Sequence, residues 1–486
     1  MALLCLSLTE GSIEENLQIL EENRQYVDVC ELRADFLSPE DCRRLAGFPA
    51  AAGVPVILTL RGKRAGGAFG GDDGQFCDVV LSALQGEYRY VDIDTEVHAP
   101  EVASYCRKNG ITVIRSSHHF SGIPDDAAAI LQKLPQGLGD IPKIACMINS
   151  IEELFRLAEV ARNSAHKRQI IIGMGEFGIP TRLLPEHFGS MLSYATAGSR
   201  PAAPGHIAPA EMVETYRFRE IHRETSVFGI IGNPVLHSKS PALHNPGFRR
   251  CGIHAVYVPF PTDAPETFLR HARELPGRGF SVTAPFKEVV AELLTLKEDA
   301  VSAIGSCNTV IWQEDEGAWK GYNTDYTGFY RPLAEYVEKT NRNIHTATVI
   351  GAGGAARAVL YALVRAGIQA CIINRTPGRA KKLAREYGIP FGGMDSQGLA
   401  IAQQHADMIV QTTSAGMEPD TSRDPWPEYS FSGRELVYEI IYRPLHTVFA
   451  SRAAESGCDV ITGDRMLAAQ GEEQFFLFTG KTRGEC

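Results

Sequence analysis

The chain has 486 residues, 44% of them hydrophobic and 22% charged, and a formal net charge of −10. At roughly 150 residues per domain this is too long for one core and predicts two to four, while the negative balance argues against nucleic acid or an anionic membrane as the main partner and leaves room for local basic pockets. Eleven cysteines, without CxxC pairs, read as reduced thiols of a cytoplasmic protein, not a disulfide framework or a zinc site.

The N-terminus, MALLCLSLTEGS, has no basic residues ahead of its apolar run and is far too short to span a bilayer, so it reads as a first strand. Further apolar runs follow at 27–32, 54–60, 90–94, 111–117, 142–148 and 169–174, with helical stretches between them. Strand alternating with helix predicts an α/β fold with a parallel sheet. Seven such units, with a weak eighth near Gly205-His206-Ile207, point to a closed β/α barrel; an open doubly wound sheet is the alternative.

The ends of these runs are polar: Glu31 and Arg33, Arg61, Asp92 and Asp94, His118. In a parallel barrel the carboxyl ends of the strands share one mouth, so groups far apart in sequence converge there. His118 and His119 are adjacent and would face opposite sides of a strand, and no HExxH pattern occurs, so no metal site is expected. Lys143 lies inside the run Ile141 to Ile148. A buried amine disfavours its ammonium form and is able to attack a carbonyl; alternatively its stem packs while its head reaches solvent.

The segments Glu31-Leu32-Arg33-Ala34-Asp35, Thr59-Leu60-Arg61, Ser116-Ser117-His118-His119-Phe120, Lys143-Ile144-Ala145 and Thr181-Arg182 resemble the motifs of type I 3-dehydroquinate dehydratase, in that family's order. The resemblance implies that Lys143 forms an iminium with the substrate ketone, and that His118 removes the adjacent proton and then protonates the departing hydroxyl. It also implies that Glu31, Arg33 and Arg61 grip the substrate hydroxyls with Ser7 near them, and that Arg182 holds the carboxylate. Three departures stand out. Ala65 replaces a glutamate that would help orient the histidine, a task for which Asp92 is then the candidate, and Ala202-Ala203-Pro204-Gly205-His206 replaces Ser-Ala-Pro-Gly-Gln.

Residues 198–210, GSRPAAPGHIAPA, read as a mobile lid before a last barrel helix from Ala210 to Ile221. The boundary falls near Arg223 to Ser226, where a new strand, Val227 to Ile231, starts over. It runs into a turn carrying Ser238 and Ser240. Then come Thr283 and Lys287, Ser306-Cys307-Asn308-Thr309, and Asn323-Thr324-Asp325, each beyond a short apolar run, where open α/β sheets place ligand contacts.

From Thr346 to Arg379 the order is strand, glycine turn (Gly351, Ala352, Gly353, Gly354), helix from Ala355, and second strand ending at Asn374. Such a turn lets backbone approach a pyrophosphate at a helix N-terminus. An NAD site usually carries an acidic residue at the end of the second strand. Here Asn374, Arg375, Thr376 and Arg379 stand there, and two cations suit a 2′-phosphate, which points to NADP.

From Ser226 to the end these motifs resemble shikimate dehydrogenase. The resemblance implies that Ser238 and Ser240 bind the substrate carboxylate, that Thr283, Asn308 and Gln470 bind its hydroxyls, and that Lys287 and Asp325 form the catalytic pair. Thr413 to Met417 would lie beside the nicotinamide. Tyr442 is implied as a further substrate contact and Gly463 as a further cofactor contact. Mild departures are Ser281 for asparagine and Glu439 for aspartate.

The expectation is therefore a bifunctional enzyme: a barrel over 1–223, a substrate-binding domain over 226–330, an NADP-binding Rossmann domain over 331–455, and a returning segment over 456–486. Its partners are small-molecule substrates, 3-dehydroquinate and 3-dehydroshikimate. The alternatives are a ligand-sensing barrel that has lost turnover, or a catabolic quinate or shikimate dehydrogenase using NAD.

Overall fold

The computed structural model describes residues 1–486 except Gln136, Leu138, 200–204 and His206. The chain divides into two compact units, Met1–Gly277 and Arg278–Cys486. Among the described residues no helix is long and apolar enough to cross a membrane, and no group of three or more His, Cys, Asp or Glu is placed to hold a metal ion. Nine of the eleven cysteines are free thiols, seven of them buried.

The first unit opens with eight parallel strands: β1 (Leu3–Leu8), β2 (Val29–Arg33), β3 (Val56–Thr59), β4 (Tyr90–Asp94), β5 (Thr112–His119), β6 (Ile141–Met147), β7 (Ile170–Met174) and β8 (Leu192–Thr196). They run in chain order round a nearly closed barrel, with β8 pairing back onto β1. The eighth strand corrects the expectation at 205–207: Leu192 and Tyr194 point into the barrel, but the polar Ser193 between them and Thr196 at the end leave no continuous apolar run. Gly205 and Ile207 lie outside any strand, Ile207 bonding to Thr196 through its carbonyl. In the lid reading of 198–210, Ala202, Ala203, Pro204 and His206 lie outside the described residues.

Period two explains both faces of the barrel wall. Leu6, Leu8, Cys30, Leu32, Leu58 and Val91 pack outward against the helices, while Cys5, Val29, Ile57, Tyr90, Ile114, Ile141 and Tyr194 fill the interior. Two residues further along each strand, on the same inward face, stand Ser7, Glu31, Thr59, Asp92, Ser116 and Lys143. An apolar floor thus carries a polar layer, and the floor excludes the water that would otherwise compete for that layer's hydrogen bonds.

The helix expected from Ala210 to Ile221 is broken. A π-helical turn (Glu211–Thr215) and a 3-10 turn (Phe218–Glu220) are separated by Arg217 at φ 58°. In this left-handed conformation the Arg217 guanidinium pairs with Glu220 and donates to the Ala255 carbonyl. The unit ends with the parallel pair β9 (Ser226–Gly232) and β10 (Ala255–Pro261). Phe155 of the barrel helix Ile151–Arg162 packs on Phe268, and Asp263 accepts from the Ile151 amide.

β11 (Gly277–Val282), whose residues from Arg278 on belong to the second unit, pairs antiparallel with β13 (Thr309–Gln313), β13 antiparallel with β14 (Ala318–Tyr322), and β14 parallel with β12 (Leu296–Lys297). A second sheet is parallel throughout, in the order β17 (Phe391–Gly392), β16 (Gln369–Ile373), β15 (Thr346–Ile350), β18 (Met408–Gln411), β19 (Leu436–Glu439), β20 (Asp459–Ile461). Its strands are apolar on both faces, as burial under helices on two sides requires: Val349, Ile372 and Val410 face one core, Ile350, Ile373 and Ile409 the other. The order reverses beside β15, where such sheets open a crevice for a dinucleotide.

Candidate active sites

Register brings the barrel's polar residues together. Ser7 lies opposite Glu31, Thr59 opposite Asp92, Asp94 opposite Ser116, and Ser116 opposite Lys143. Lys143 is buried, with its side chain 6% exposed. Its Nζ donates to Asp92 Oδ2 at 2.9 Å and to the Tyr194 hydroxyl at 3.0 Å, and lies 4.0 Å from Glu31 Oε1. The alternative of a solvated head group is therefore overturned. Glu31 accepts in turn from Ser7 and Thr59.

Arg61 is the hub on the other side. It reaches Asp92 and Asp94 at 3.0 Å each and Ser116 at 2.9 Å. Burial alone would lift the Asp92 carboxyl, but the charges of Arg61 and Lys143 carry it far below the usual carboxylate range, so it stays ionised at any working pH.

His118 Nδ1 lies 2.7 Å from Asp94 Oδ2. An ionised carboxylate only accepts, so Nδ1 carries the proton and Nε2 keeps its lone pair. Burial, with Arg61 next, pulls the imidazole down to about 4, against the raising effect of the Asp94 bond. The ring is neutral near pH 7 and able to take a proton. Asp94 therefore holds the histidine; the expectation of Asp92 for that task is corrected, because Asp92 is engaged by Ser116, Arg61 and Lys143. His119 faces the other way, bonded to Ser117.

Arg33 is clamped by Asp35 through two hydrogen bonds of 2.9 and 2.8 Å, and Asp35 also accepts from the Ala68 amide. Arg182, on the short helix Ile179–Leu183, is 2% exposed, and burial lowers its guanidinium to about 10. A desolvated cation of this kind favours an anionic ligand. Ala65 is buried and followed by Gly66 at φ 80°, where an added Cβ would come 2.4 Å from the Phe120 ring.

In the first unit Ser238 and Ser240 form a local pair at 3.1 Å, at the N-terminus of the helix Ser240–Arg250, where hydroxyls and free amides suit a carboxylate.

In the second unit Lys287 opens the helix Lys287–Leu293, and its Nζ donates to Asp325 Oδ2 at 2.6 Å. Asp325 Oδ1 accepts from Asn308 Nδ2 at 2.8 Å, and Asn308 also donates to Thr324. The amide of Asn308 is thus spent on aiming Asp325 and Thr324, a task the sequence did not reveal. Gln470 accepts from Thr324 at 3.4 Å. It sits on the helix Gly463–Thr479, which approaches so closely that a Cβ at Gly328 would be 2.5 Å from Gln470 Cβ. Thr283 is half-buried in the turn before Lys287.

A cleft of about 450 Å³ opens at the reversal of the parallel sheet. It is lined by Gly351, Ala352, Gly353, Asn374, Arg375, Arg379 and the segment Thr412 to Ala415. Gly351 has φ 112°, and a Cβ there would be 2.6 Å from Thr412 Oγ1; at Gly353 and Gly354 it would meet nothing within 4 Å. The turn is therefore bare toward the cleft, with the amides of the helix Gly354–Arg365 behind it and two exposed arginines at one side. This fits a dinucleotide bearing an extra phosphate. Arg423, on the loop beyond β18, lines the same cleft and was not anticipated. Gly354, Ala355 and Thr376 flank the cleft without lining it. Gly463 is explained by packing, since a Cβ there would come 2.4 Å from the Ile440 carbonyl oxygen, and Tyr442 is 42% exposed on a neighbouring loop.

Comparison with known proteins matches both halves. The family model of type I 3-dehydroquinase covers residues 4–223, that of the shikimate dehydrogenase substrate binding domain 230–310, and that of shikimate / quinate 5-dehydrogenase 334–419. The chain is 30% identical over 505 residues to a chloroplastic bifunctional 3-dehydroquinate dehydratase/shikimate dehydrogenase of Arabidopsis thaliana, covering 99% of this chain and 82% of that one. It is 38% identical to a shikimate dehydrogenase (NADP(+)) of Maridesulfovibrio salexigens, over 54% of this chain and 94% of the relative. Among solved structures, shikimate 5-dehydrogenase of Thermus thermophilus, in complex with NADP(H) and shikimate, is 34% identical over 53% of this chain and 94% of its own, with a TM-score of 0.47.

Proposed function

We infer the chemistry from one premise: the chain belongs to the family of bifunctional 3-dehydroquinate dehydratase/shikimate dehydrogenases. It dehydrates 3-dehydroquinate to 3-dehydroshikimate in the barrel and reduces that product to shikimate with NADPH in the second half. The barrel amine carries the dehydratase assignment: Lys143 is desolvated, faces inward, and is held by Asp92 beside a neutral histidine.

In the proposed dehydratase reaction Lys143 Nζ attacks the ketone carbon and forms an iminium, the electron sink for loss of the neighbouring proton. Asp92, ionised throughout, opposes the iminium charge. His118 Nε2 takes the proton and returns it to the departing hydroxyl, with Asp94 holding Nδ1–H and so fixing which nitrogen reacts. Arg182 meets the carboxylate, and Ser7, Glu31, Arg33 and Arg61 meet the hydroxyls.

For the dehydrogenase, bound NADPH supplies a hydride; Gly351 to Ala355, Asn374, Arg375, Thr376 and Arg379 would hold it. The chain's own contribution is a proton. Lys287, fixed by Asp325, donates it to the ketone oxygen, which removes the cost of an alkoxide. Ser238 and Ser240 take the substrate carboxylate; Thr283, Tyr442 and Gln470 complete the substrate contacts, while Asn308 aims Asp325 and Thr324. Of the division at 1–223, 226–330, 331–455 and 456–486, the first three starting points agree with where the family models match, and the returning segment is supported by the helix Gly463–Thr479, whose Gln470 meets Thr324. A cytosolic setting is supported by the free thiols.

One coupled assay tests the whole reading. Supplied with 3-dehydroquinate and NADPH, the protein produces shikimate. Lys143→Ala stops NADPH oxidation from 3-dehydroquinate yet leaves reduction of added 3-dehydroshikimate intact; loss of both, or of neither, removes the assignment.

A further inference from the structure

The barrel amine has a second acceptor with no part in the steps above. Tyr194, on β8, belongs to the apolar floor and is 5% exposed. Its hydroxyl accepts from Lys143 Nζ at 3.0 Å, and Nζ lies 4.5 Å from the ring centroid. Burial, reinforced by the Glu31 charge, pushes the phenol well above its ordinary range, so it accepts as a neutral group and adds no charge to the site.

We propose that Tyr194 is a positioning residue for the covalent step: together with Asp92 it fixes the direction of the Lys143 lone pair. The inference rests on Lys143 being the nucleophile. In its amine form Nζ has four bonding directions. One goes to Cε, one N–H to Asp92 Oδ2 at 2.9 Å and one N–H to Tyr194 Oη at 3.0 Å. The fourth is left to the lone pair. Without the hydroxyl, rotation about Cε–Nζ exchanges the free N–H with the lone pair, and the amine spends much of its time misdirected.

The balance of the step shows when Tyr194 acts. An ammonium and a ketone give an iminium and water: the C–N bond forms, the C=O bonds break, two of the three N–H protons leave with the oxygen, and one stays. The remaining N–H belongs with Asp92, whose charge opposes that of the iminium. Tyr194 is therefore needed while the adduct forms and idle when His118 removes the carbon-bound proton.

The test is single-turnover mixing of the full chain with 3-dehydroquinate, quenched with borohydride at intervals and read by intact mass, for wild type and Tyr194→Phe. The variant is expected to accumulate adduct roughly 10- to 100-fold more slowly, the scale of effect for a misdirected reacting atom. Its isotope effect with substrate deuterated beside the ketone falls toward one, because adduct formation has become limiting. Met174→Leu, in the same apolar layer, keeps the wild-type rate. Tyr194→Leu gives the same comparison if the phenylalanine variant does not fold. An unchanged adduct rate in the variant overturns the proposal, and absence of an adduct in wild type overturns the nucleophile assignment with it.

Discussion

Asp94 Oδ2 lies 2.7 Å from His118 Nδ1, two residues along β4 from the carboxylate that holds the barrel lysine. Adjacent inward positions of one strand thus hold the two groups proposed to be catalytic, Lys143 and His118. Asp94→Asn replaces an acceptor-only carboxylate with an amide that can also donate, so the imidazole tautomer is no longer fixed. Dehydratase kcat is expected to fall by about 10²-fold, within the range that general-base catalysis contributes, with NADPH-dependent reduction unchanged. Absorbance of the enone product measures it; an undiminished rate would show that Asp94 has no part in aiming the base.

The pH profile follows from the same ring. Burial and Arg61 lower His118 to about 4, and the base works only when unprotonated, so kcat/KM for dehydration should hold at neutral pH and fall as pH drops through about 4. Arg61→Gln removes a cation, and the acidic limb should move upward toward the ordinary imidazole value, whatever happens to the amplitude. A limb that stays in place would refute the electrostatic account.

Lys287 Nζ donates to Asp325 Oδ2 at 2.6 Å, and this is the pair proposed to supply the proton in the second unit. Lys287→Ala is expected to lower the reductase kcat by about 10²- to 10⁴-fold, with KM for NADPH little changed, since neither residue lines the nucleotide cleft. Stopped-flow NADPH oxidation with 3-dehydroshikimate would read this directly. Dehydration in the barrel continues in the same preparation.

Arg375 and Arg379 line one side of the cleft and are proposed to set cofactor choice. Each charge-assisted contact to a phosphate is worth about 1.5–3 kcal/mol, so Arg375→Ala should raise KM for NADPH by roughly 10-fold or more and leave KM for NADH nearly constant. Strong NADH preference in the unmutated protein would remove the NADP assignment.

Glu439 is fully buried at the end of β19, accepting from the Ile441 amide and the Thr447 hydroxyl. Burial raises its carboxyl to about 7. A raised folded-state value means that its stabilising share is complete below the unfolded value of about 4.5 and is lost as pH rises through 7, on the order of 3 kcal/mol at most. Urea unfolding at pH 5 and pH 8 should show wild type losing stability over that interval and Glu439→Gln losing less. Equal losses would place the ionisation elsewhere.

What could be read before any coordinates was whatever depends on periodicity and local turn chemistry. Period two places Glu31, Arg33, Asp92, Asp94 and His118 on the ends of strands, and the glycine turn with Arg375 and Arg379 announces a phosphate-rich cofactor. The eighth strand was misplaced because the polar Ser193 and Thr196 break up its apolar run, and Tyr194 was missed with it. The broken helix at Arg217 was also invisible, since its conformation answers to Glu220 and to Ala255, which lies far away in the chain.

Sequence by itself determined which residue types stand at which strand ends, because side-chain alternation is a property of the local backbone. Only the tertiary structure decided which carboxylate meets which base. Asp92 and Asp94 are chemically alike and share one face, and it is the register of β4 against β5, together with Arg61 reaching across from beyond β3, that gives Lys143 to the first and His118 to the second.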